Sequence, residues 1–159
     1  NNFTKKKIKE IDFIFLISLM ILDDTDNVDY FLYKFNISNF DKKRILFLKD
    51  FYEKKASKNF FSEKNLWKVL YFNGKQSLQD LIYFEIFRSK NLNTKLINLS
   101  DFFKDKEAPI FPIKAKNLIK KYKVSEGKLL GIRLKKIEEK WINNDFKVSE
   151  KDVAQIIEN

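Results

Sequence analysis

Apolar residues recur at intervals of three and four along most of this chain, the spacing that places them on one face of an α-helix. The first such segment carries Ile8, Ile11, Phe15, Leu19 and Leu22. Because further apolar residues fill most of the positions between 11 and 22, this first helix is predicted to be buried on almost all sides.

Shorter segments with the same spacing predict further helices. They carry Val28, Phe31, Leu32 and Phe35; Ile45, Leu48 and Phe51; Leu66, Val69 and Leu70; and Leu78, Leu81, Ile82 and Ile86. Three Gly and two Pro are too few for the many tight turns of a β-sandwich or barrel. We therefore predict an all-α fold, an array of short antiparallel helices with a small helical tail. The residues expected in the core include Leu48, Leu70, Leu81 and Trp141.

Helix ends are marked by short polar signals. Ser38 and Asp41 stand three residues apart, as do Ser149 and Asp152, which is the spacing of a capping box at a helix N-terminus. Gly74 follows an apolar stripe, at a point where a left-handed residue commonly ends a helix. These signals predict helix starts after Ser38 and Ser149 and a helix end at Gly74.

The segment 104–109 is polar and charged and ends in a proline, with a second proline at 112. Such composition is typical of a connection between domains. Helical patterns resume near 115–121, continue through 130–141 and return after Ser149. We therefore predict a helical body domain over residues 1–105 and a helical tail domain over 106–159.

Cys and His are both absent. Disulfides, thiolate or imidazole metal ligands, and catalysis by a thiol or an imidazole are therefore excluded. Asp24 and Asp26 form an Asp-x-Asp pair, but no predicted strand or glycine-rich loop flanks it, so we interpret these carboxylates as turn and cap residues. No glycine-rich phosphate loop is present. We predict no catalytic residue, metal ligand or cofactor site in this chain.

The chain carries 32 Lys and Arg against 22 Asp and Glu, a formal net charge of +10. A basic excess of this size favours a polyanionic partner such as RNA. Genome composition is a second source of the excess, because Lys, Asn, Ile and Phe are all encoded by AT-rich codons. The 17 Phe and 6 Tyr fall mostly at helical spacing. We interpret them as core residues, with stacking on bases as the alternative.

The longest nearly unbroken apolar run, 13–22, is shorter than the roughly 20 residues that span a bilayer, and no cleavable signal accompanies it. We expect a cytoplasmic protein with no membrane partner. The sequence starts at Asn1 rather than Met, from which we expect it to be part of a longer protein.

Two glycines, Gly127 and Gly131, lie four residues apart at the start of an amphipathic segment. Gly127 is predicted to lie at the N-terminus of a helix, where free N–H groups favour an anion. Gly131 costs roughly 1 kcal/mol of helix propensity relative to Ala, which indicates the close approach of either a neighbouring helix or a phosphate backbone. The residues predicted to form an RNA-binding surface here are Lys114, Lys116, Lys120, Gly127, Lys128, Gly131 and Arg133.

The same stretch resembles the tail signature of bacterial class II tRNA nucleotidyltransferases, the CCA-adding enzymes and their poly(A) polymerase relatives. The matching residues are Phe111-Pro112, Leu118, Gly127, Leu130, Gly131, Leu134, Trp141 and Asp145-Phe146. Upstream, 35–39 is similar to the family's Leu-x-Leu-Ser-Asn helix entry, and 66–81 is similar to a helix pair joined at a Gly. Ala115, Asn117 and Glu126 stand where the family has Gly, Asp and Pro.

The resemblance implies an all-helical body and tail that hold tRNA while a separate head adds nucleotides. The catalytic head, with its Mg²⁺ and its CTP or ATP, has no counterpart in this chain. The implied partners are tRNA and that head, and the chain alone is expected to be non-catalytic. Whether the parent adds CCA, CC, A or poly(A) would be decided in the head. The alternative from another class is a helical protein–protein interaction module with no RNA affinity.

Overall fold

A computed structural model describes residues 11–54, 60–89, 91 and 93–158, and its regular secondary structure in these ranges is helical, with no strand. The prediction of an all-α fold is confirmed. The described helices are α1 (Phe13–Ile21), α2 (Asn27–Lys34), α3 (Asn39–Glu53), α4 (Glu63–Arg88), α5 (Thr94–Phe103), α6 (Ala115–Tyr122), α7 (Lys128–Asn143) and α8 (Glu150–Glu158).

The chain divides into two compact units, Asn1–Ala108 and Pro109–Asn159. We call them the body unit and the tail unit. The boundary predicted from composition, between 105 and 106, lies in the polar segment just before Pro109. The body unit contains α1 to α5 and the tail unit contains α6 to α8.

The core of the body unit forms around α4, which packs against α3 on one side and α5 on another. Leu48 of α3 and both Leu70 and Leu81 of α4 are fully buried, as predicted. Helix α1 packs against α2 and α3. In the tail unit, Trp141 of α7 is buried as predicted.

Helix α1 differs from its prediction. It begins at Phe13, and Ile8 lies outside the described residues. Phe15 is buried, but Phe13 is 70% exposed and Met20 is 76% exposed. The prediction of burial on almost all sides is therefore wrong, because the neighbours of α1 cover one face and leave the face of Phe13, Leu16 and Met20 in solvent.

A buried charged cluster joins α1, α3 and α4, and the sequence pattern did not predict it. Arg44 Nε and Nη2 donate to the two carboxylate oxygens of Asp80 at 2.7 and 3.1 Å. Nη2 also donates to Asp12 at 2.6 Å and Nη1 to Asp41 at 3.2 Å. Burial acts to lower the pKa of Arg44, but the hydrogen bonds and charges of Asp80 and Asp12 outweigh it and raise that pKa. Burial raises the pKa of Asp80 against the opposing effect of Arg44.

Local signals placed the helix ends correctly. The Asp41 N–H donates to Ser38 Oγ at 3.1 Å at the start of α3. At the start of α8 the Asp152 N–H donates to Ser149 Oγ at 3.2 Å, and the Ser149 N–H donates to Asp152 at 3.1 Å, a complete capping box. Gly74 has φ 80° and ψ 174° and interrupts α4 in its middle. The predicted interruption at Gly74 is confirmed, but its ψ lies outside the left-handed helical region that was expected, and the helix resumes beyond it to Arg88.

Candidate nucleic-acid interface

Helix α6 carries a basic face opposite its apolar one. Leu118 is buried in the tail core and Ile119 is packed against it. Lys116 and Lys120 are exposed and lie four residues apart, so their side chains project from the same face of the helix. Lys114 immediately precedes α6 in extended conformation and is also exposed.

Lys121 lies on the other flank of α6 and is engaged within the tail unit. Its Nζ contacts Glu150 of α8 at 2.7 Å. The hydrogen bond to Glu150 raises the pKa of Lys121, and the same bond lowers the pKa of Glu150. This lysine ties α6 to α8, whereas Lys116 and Lys120 have no ion-pair partner among the described residues.

Helix α7 packs through Leu130, Leu134 and Ile137. Its opposite side presents Lys128, Gly131 and Lys135, which are all exposed. These three residues follow one another at intervals of three and four and therefore share one side of the helix. We call them the basic face of α7. Neither lysine has an acidic partner in the part of the chain that the structure describes.

Arg133 is separated from this face. It lies two residues from Gly131, and residues at that interval point in different directions from a helix. It is half-buried, whereas Gly131 is exposed. The structure thus brings together Lys128 and Gly131 from the predicted set, and Lys116 and Lys120 on α6, but not Arg133. Lys135 was not singled out from the sequence, although its four-residue interval from Gly131 was a usable signal.

The two glycines of the tail unit stand in open surroundings. Gly127 has φ 132° and ψ −164° at the N-terminus of α7, where it makes no side-chain cap. A Cβ built on Gly127 or on Gly131 would meet no other atom of the tail unit within 4 Å. A tightly packed helix of the tail unit is therefore not the reason for Gly131, and its face of α7 is accessible.

Charge is unevenly distributed within the tail unit. Residues 109–136 contain nine Lys or Arg and a single acid, Glu126. Residues 137–159 contain three Lys and six acids. The positive charge of the tail unit is therefore concentrated on α6 and the first half of α7, where the exposed lysines described above lie.

Three aromatic rings of the tail unit contact one another. The ring of Trp141 lies 5.3 Å from that of Phe111 and 4.9 Å from that of Phe146, between centroids. Asp145 and Phe146 have positive φ values of 52° and 59°, which turn the chain after α7. Phe111, Trp141 and Phe146 belong to the motif on which the resemblance rests, and here they form one contact group.

No cluster of three or more metal-ligating side chains occurs among the described residues. Within the same ranges, no helix is long and apolar enough to cross a membrane. Comparison with protein-family models, with curated proteins and with solved structures finds no match to this chain.

Proposed function

We propose that the chain is a cytoplasmic RNA-binding module, the tRNA-holding body and tail of a tRNA nucleotidyltransferase. The observation that carries the proposal is the basic face of α7, where two exposed lysines flank a glycine with open space above it. The motif shared with the nucleotidyltransferases supports tRNA as the partner. Under this proposal, Mg²⁺ and CTP or ATP belong to a catalytic head that the chain itself does not supply.

The chemistry of this face suits an RNA backbone better than base edges. Lysine ammonium groups neutralise phosphates without reading sequence, as recognition of a folded RNA by its shape requires. Gly131 leaves room for the backbone to approach α7 between Lys128 and Lys135. At the N-terminus of α7, the helix dipole adds a further preference for an anion. Lys116 and Lys120 of α6 provide a second pair of exposed charges.

A second candidate function is a protein–protein interaction module, favoured by the exposed apolar face of α1. Phe13, Leu16 and Met20 lie at intervals of three and four on that face and are exposed. A helical module of this kind would show no affinity for tRNA at any salt concentration. Salt dependence therefore separates the two functions, since phosphate contacts make RNA affinity fall steeply with ionic strength.

The proposal is tested by measuring the affinity of the full chain for a tRNA that lacks its 3′ CCA, at several salt concentrations. The test variant is the pair Lys128→Ala and Lys135→Ala. The matched control is Lys147→Ala with Lys151→Ala, which removes the same charge from exposed positions in the acidic part of the tail unit. All four positions are exposed, so both variants should fold.

We expect the test variant to bind tRNA more weakly than the control. Its slope of log affinity against log salt should shrink by about 0.9 for each phosphate that the variant no longer neutralises. Equal binding by the two variants would remove the basic face of α7 as the RNA site. No detectable tRNA binding by the unaltered chain at low salt would reject the RNA-binding function altogether and favour the interaction module.

A further inference from the structure

A cleft in the body unit lies between α3 and the break in α4. It has a volume of about 480 Å³ and is lined by Lys43, Leu46, Phe47, Phe72, Asn73 and Ser77. Small-molecule sites commonly have volumes of about 300–1,000 Å³ and combine apolar walls with a few polar groups. The lining of this cleft has that mixed character.

Phe72 is the unusual member of the lining. It is 65% exposed, although it belongs to a helix whose other aromatic side chains, such as Phe84, are mostly covered. The ring of Tyr71 meets it edge-on, with 5.1 Å between centroids. An exposed ring at the wall of a cleft offers a flat apolar surface on which a planar ligand can stack. The interpretation of the aromatics as core residues therefore does not hold for Phe72.

The polar members of the lining are an ammonium, an amide and a hydroxyl. Lys43 is exposed on α3, Asn73 is exposed at the break in α4, and Ser77 is buried. The Asn73 amide can both donate to and accept from the edge of a heterocycle. The Lys43 ammonium supplies positive charge for an anionic group. A ligand that matches all three features has a flat ring, hydrogen-bonding edges and a negative charge.

The break at Gly74 lies between the lining residues that α4 contributes to this cleft. Its φ of 80° and ψ of 174° lie in a region that is essentially restricted to glycine. The break separates the first part of α4, which carries Phe72 and Asn73, from the second part, which carries Ser77. Both parts then line the same cleft against α3.

We propose that this cleft binds a single nucleotide, with its base stacked on Phe72 and its phosphate at Lys43. The nucleotide is either free or an unpaired residue of an RNA strand, since both present the same base and phosphate. The site is in the body unit and does not depend on RNA binding by the tail unit. A failure of one proposal therefore leaves the other standing.

The test uses the full chain and three fluorescently labelled probes: AMP, a hexa-adenylate RNA, and an abasic hexamer of the same backbone and charge. The first variant is Phe72→Ala, matched by Phe13→Ala, which removes an equally exposed Phe at 70% from a different helix. The second is Lys43→Ala, matched by Lys42→Ala, an exposed neighbour that does not line the cleft.

We expect Phe72→Ala to weaken binding of AMP, of the hexa-adenylate or of both by roughly fivefold to a hundredfold, the range for loss of one stacked base. Phe13→Ala should change the same affinities by less than about twofold, since it makes no such stack. AMP binding identifies a free nucleotide as the ligand, and binding of the hexamer alone identifies an RNA residue. The abasic hexamer has no base to stack, so its affinity should respond equally to Phe72→Ala and Phe13→Ala.

Three results would overturn the proposal. One is that neither AMP nor the hexa-adenylate binds. Another is that Phe72→Ala and Phe13→Ala bind the probes with equal affinity. The third is that, in a chain that also carries Lys128→Ala and Lys135→Ala and so lacks the charges of the basic face of α7, the abasic hexamer binds as tightly as the hexa-adenylate. That result would show that charge alone and not base stacking holds the strand.

Discussion

Arg44 and Asp80 are 36 residues apart in the sequence, and their side chains form a buried ion pair in which Arg44 Nε donates to Asp80 at 2.7 Å. The pair joins α3 to the second part of α4, and Asp12 at the start of α1 bonds the same guanidinium. One arginine of α3 therefore bonds carboxylates that belong to α4 and to the start of α1.

Removing the charge of Asp80 should destabilise the body unit. We expect Asp80→Asn to lower the free energy of unfolding by about 3 kcal/mol, the low end for breaking a buried pair, because Asp12 and Asp41 still face the guanidinium. The control is Asp50→Asn, which breaks an exposed pair with Lys54 and should cost about 1 kcal/mol or less. Urea unfolding followed by Trp67 fluorescence in a Trp141→Phe background reports on the body unit. Equal losses in the two variants would contradict a buried role for the pair.

Alanine should have opposite effects at two glycines. Gly74 lies in a glycine-only backbone region, so Gly74→Ala should cost about 1–3 kcal/mol of unfolding free energy. Gly131 is helical and exposed, so Gly131→Ala should add roughly 0.5–1 kcal/mol. Thermal unfolding of both variants checks the signs.

The Gly131→Ala variant also tests the proposed RNA contact. Its added methyl group lies on the basic face of α7, so tRNA affinity should fall while stability rises. A more stable variant with unchanged tRNA affinity would exclude a close approach of the RNA backbone at Gly131.

The capping box of α8 should give the tail unit a dependence on acid pH. Hydrogen bonds from Ser149 lower the pKa of Asp152 below its ordinary value of 3.8. A carboxylate with a lowered folded-state pKa stabilises the fold above its ordinary pKa, and this contribution is lost as the pH falls through the folded value. The protection factor of the Val153 amide, which corrects its exchange rate for the intrinsic rate at each pH, should therefore decrease below about pH 4 in the unaltered chain.

Two variants isolate that cap. Asp152→Asn should lower the protection factor of Val153 and remove the part of its acid dependence that comes from Asp152, whereas Glu158→Gln, at the other end of α8, should leave the acid transition in place. Ser149→Ala should cost about 1 kcal/mol, the usual value for a lost N-cap. An acid transition that survives in Asp152→Asn would assign it to another group.

The chain alone should incorporate neither CTP nor ATP into a tRNA that lacks its 3′ end. Under the proposed function, the carboxylates that hold the metal ions of nucleotidyl transfer belong to a separate catalytic head. Incorporation of labelled nucleotide in the presence of Mg²⁺ measures this directly. Mg²⁺-dependent product made by a preparation of the chain that contains no other polymerase would refute the prediction.

The sequence predicted best those features that depend on near neighbours. The pairing of Ser149 with Asp152 spans one helical turn, and the break at Gly74 is set by the backbone freedom of one residue. The link between Arg44 and Asp80 spans 36 residues, and no short-range pattern marks it. The exposure of Phe13 was missed for the same reason, since hydrophobic spacing shows that a face is apolar but not whether a neighbour covers it.

The candidate site was predictable only in part. Helical spacing correctly placed Lys128 beside Gly131 on α7. The same helical spacing excludes Arg133 from that face. The prediction had included Arg133 because it is close to Gly131 in the sequence. The ion pair of Lys121 could not be predicted from local spacing, because its partner Glu150 belongs to a helix that begins well beyond the end of α6. The cleft beside Phe72 likewise required the packing of α3 against the two parts of α4.

The uneven charge of the tail unit gives that unit a permanent electric dipole, positive toward α6 and the first half of α7. In the field of a polyanion, such a dipole experiences a torque before any contact forms. Encounters are therefore biased toward one orientation, and the gain appears in the association rate constant rather than in the lifetime of the complex. Reversing the sign of residues near the acidic end would change how fast a polyanion is captured without touching any group that contacts it.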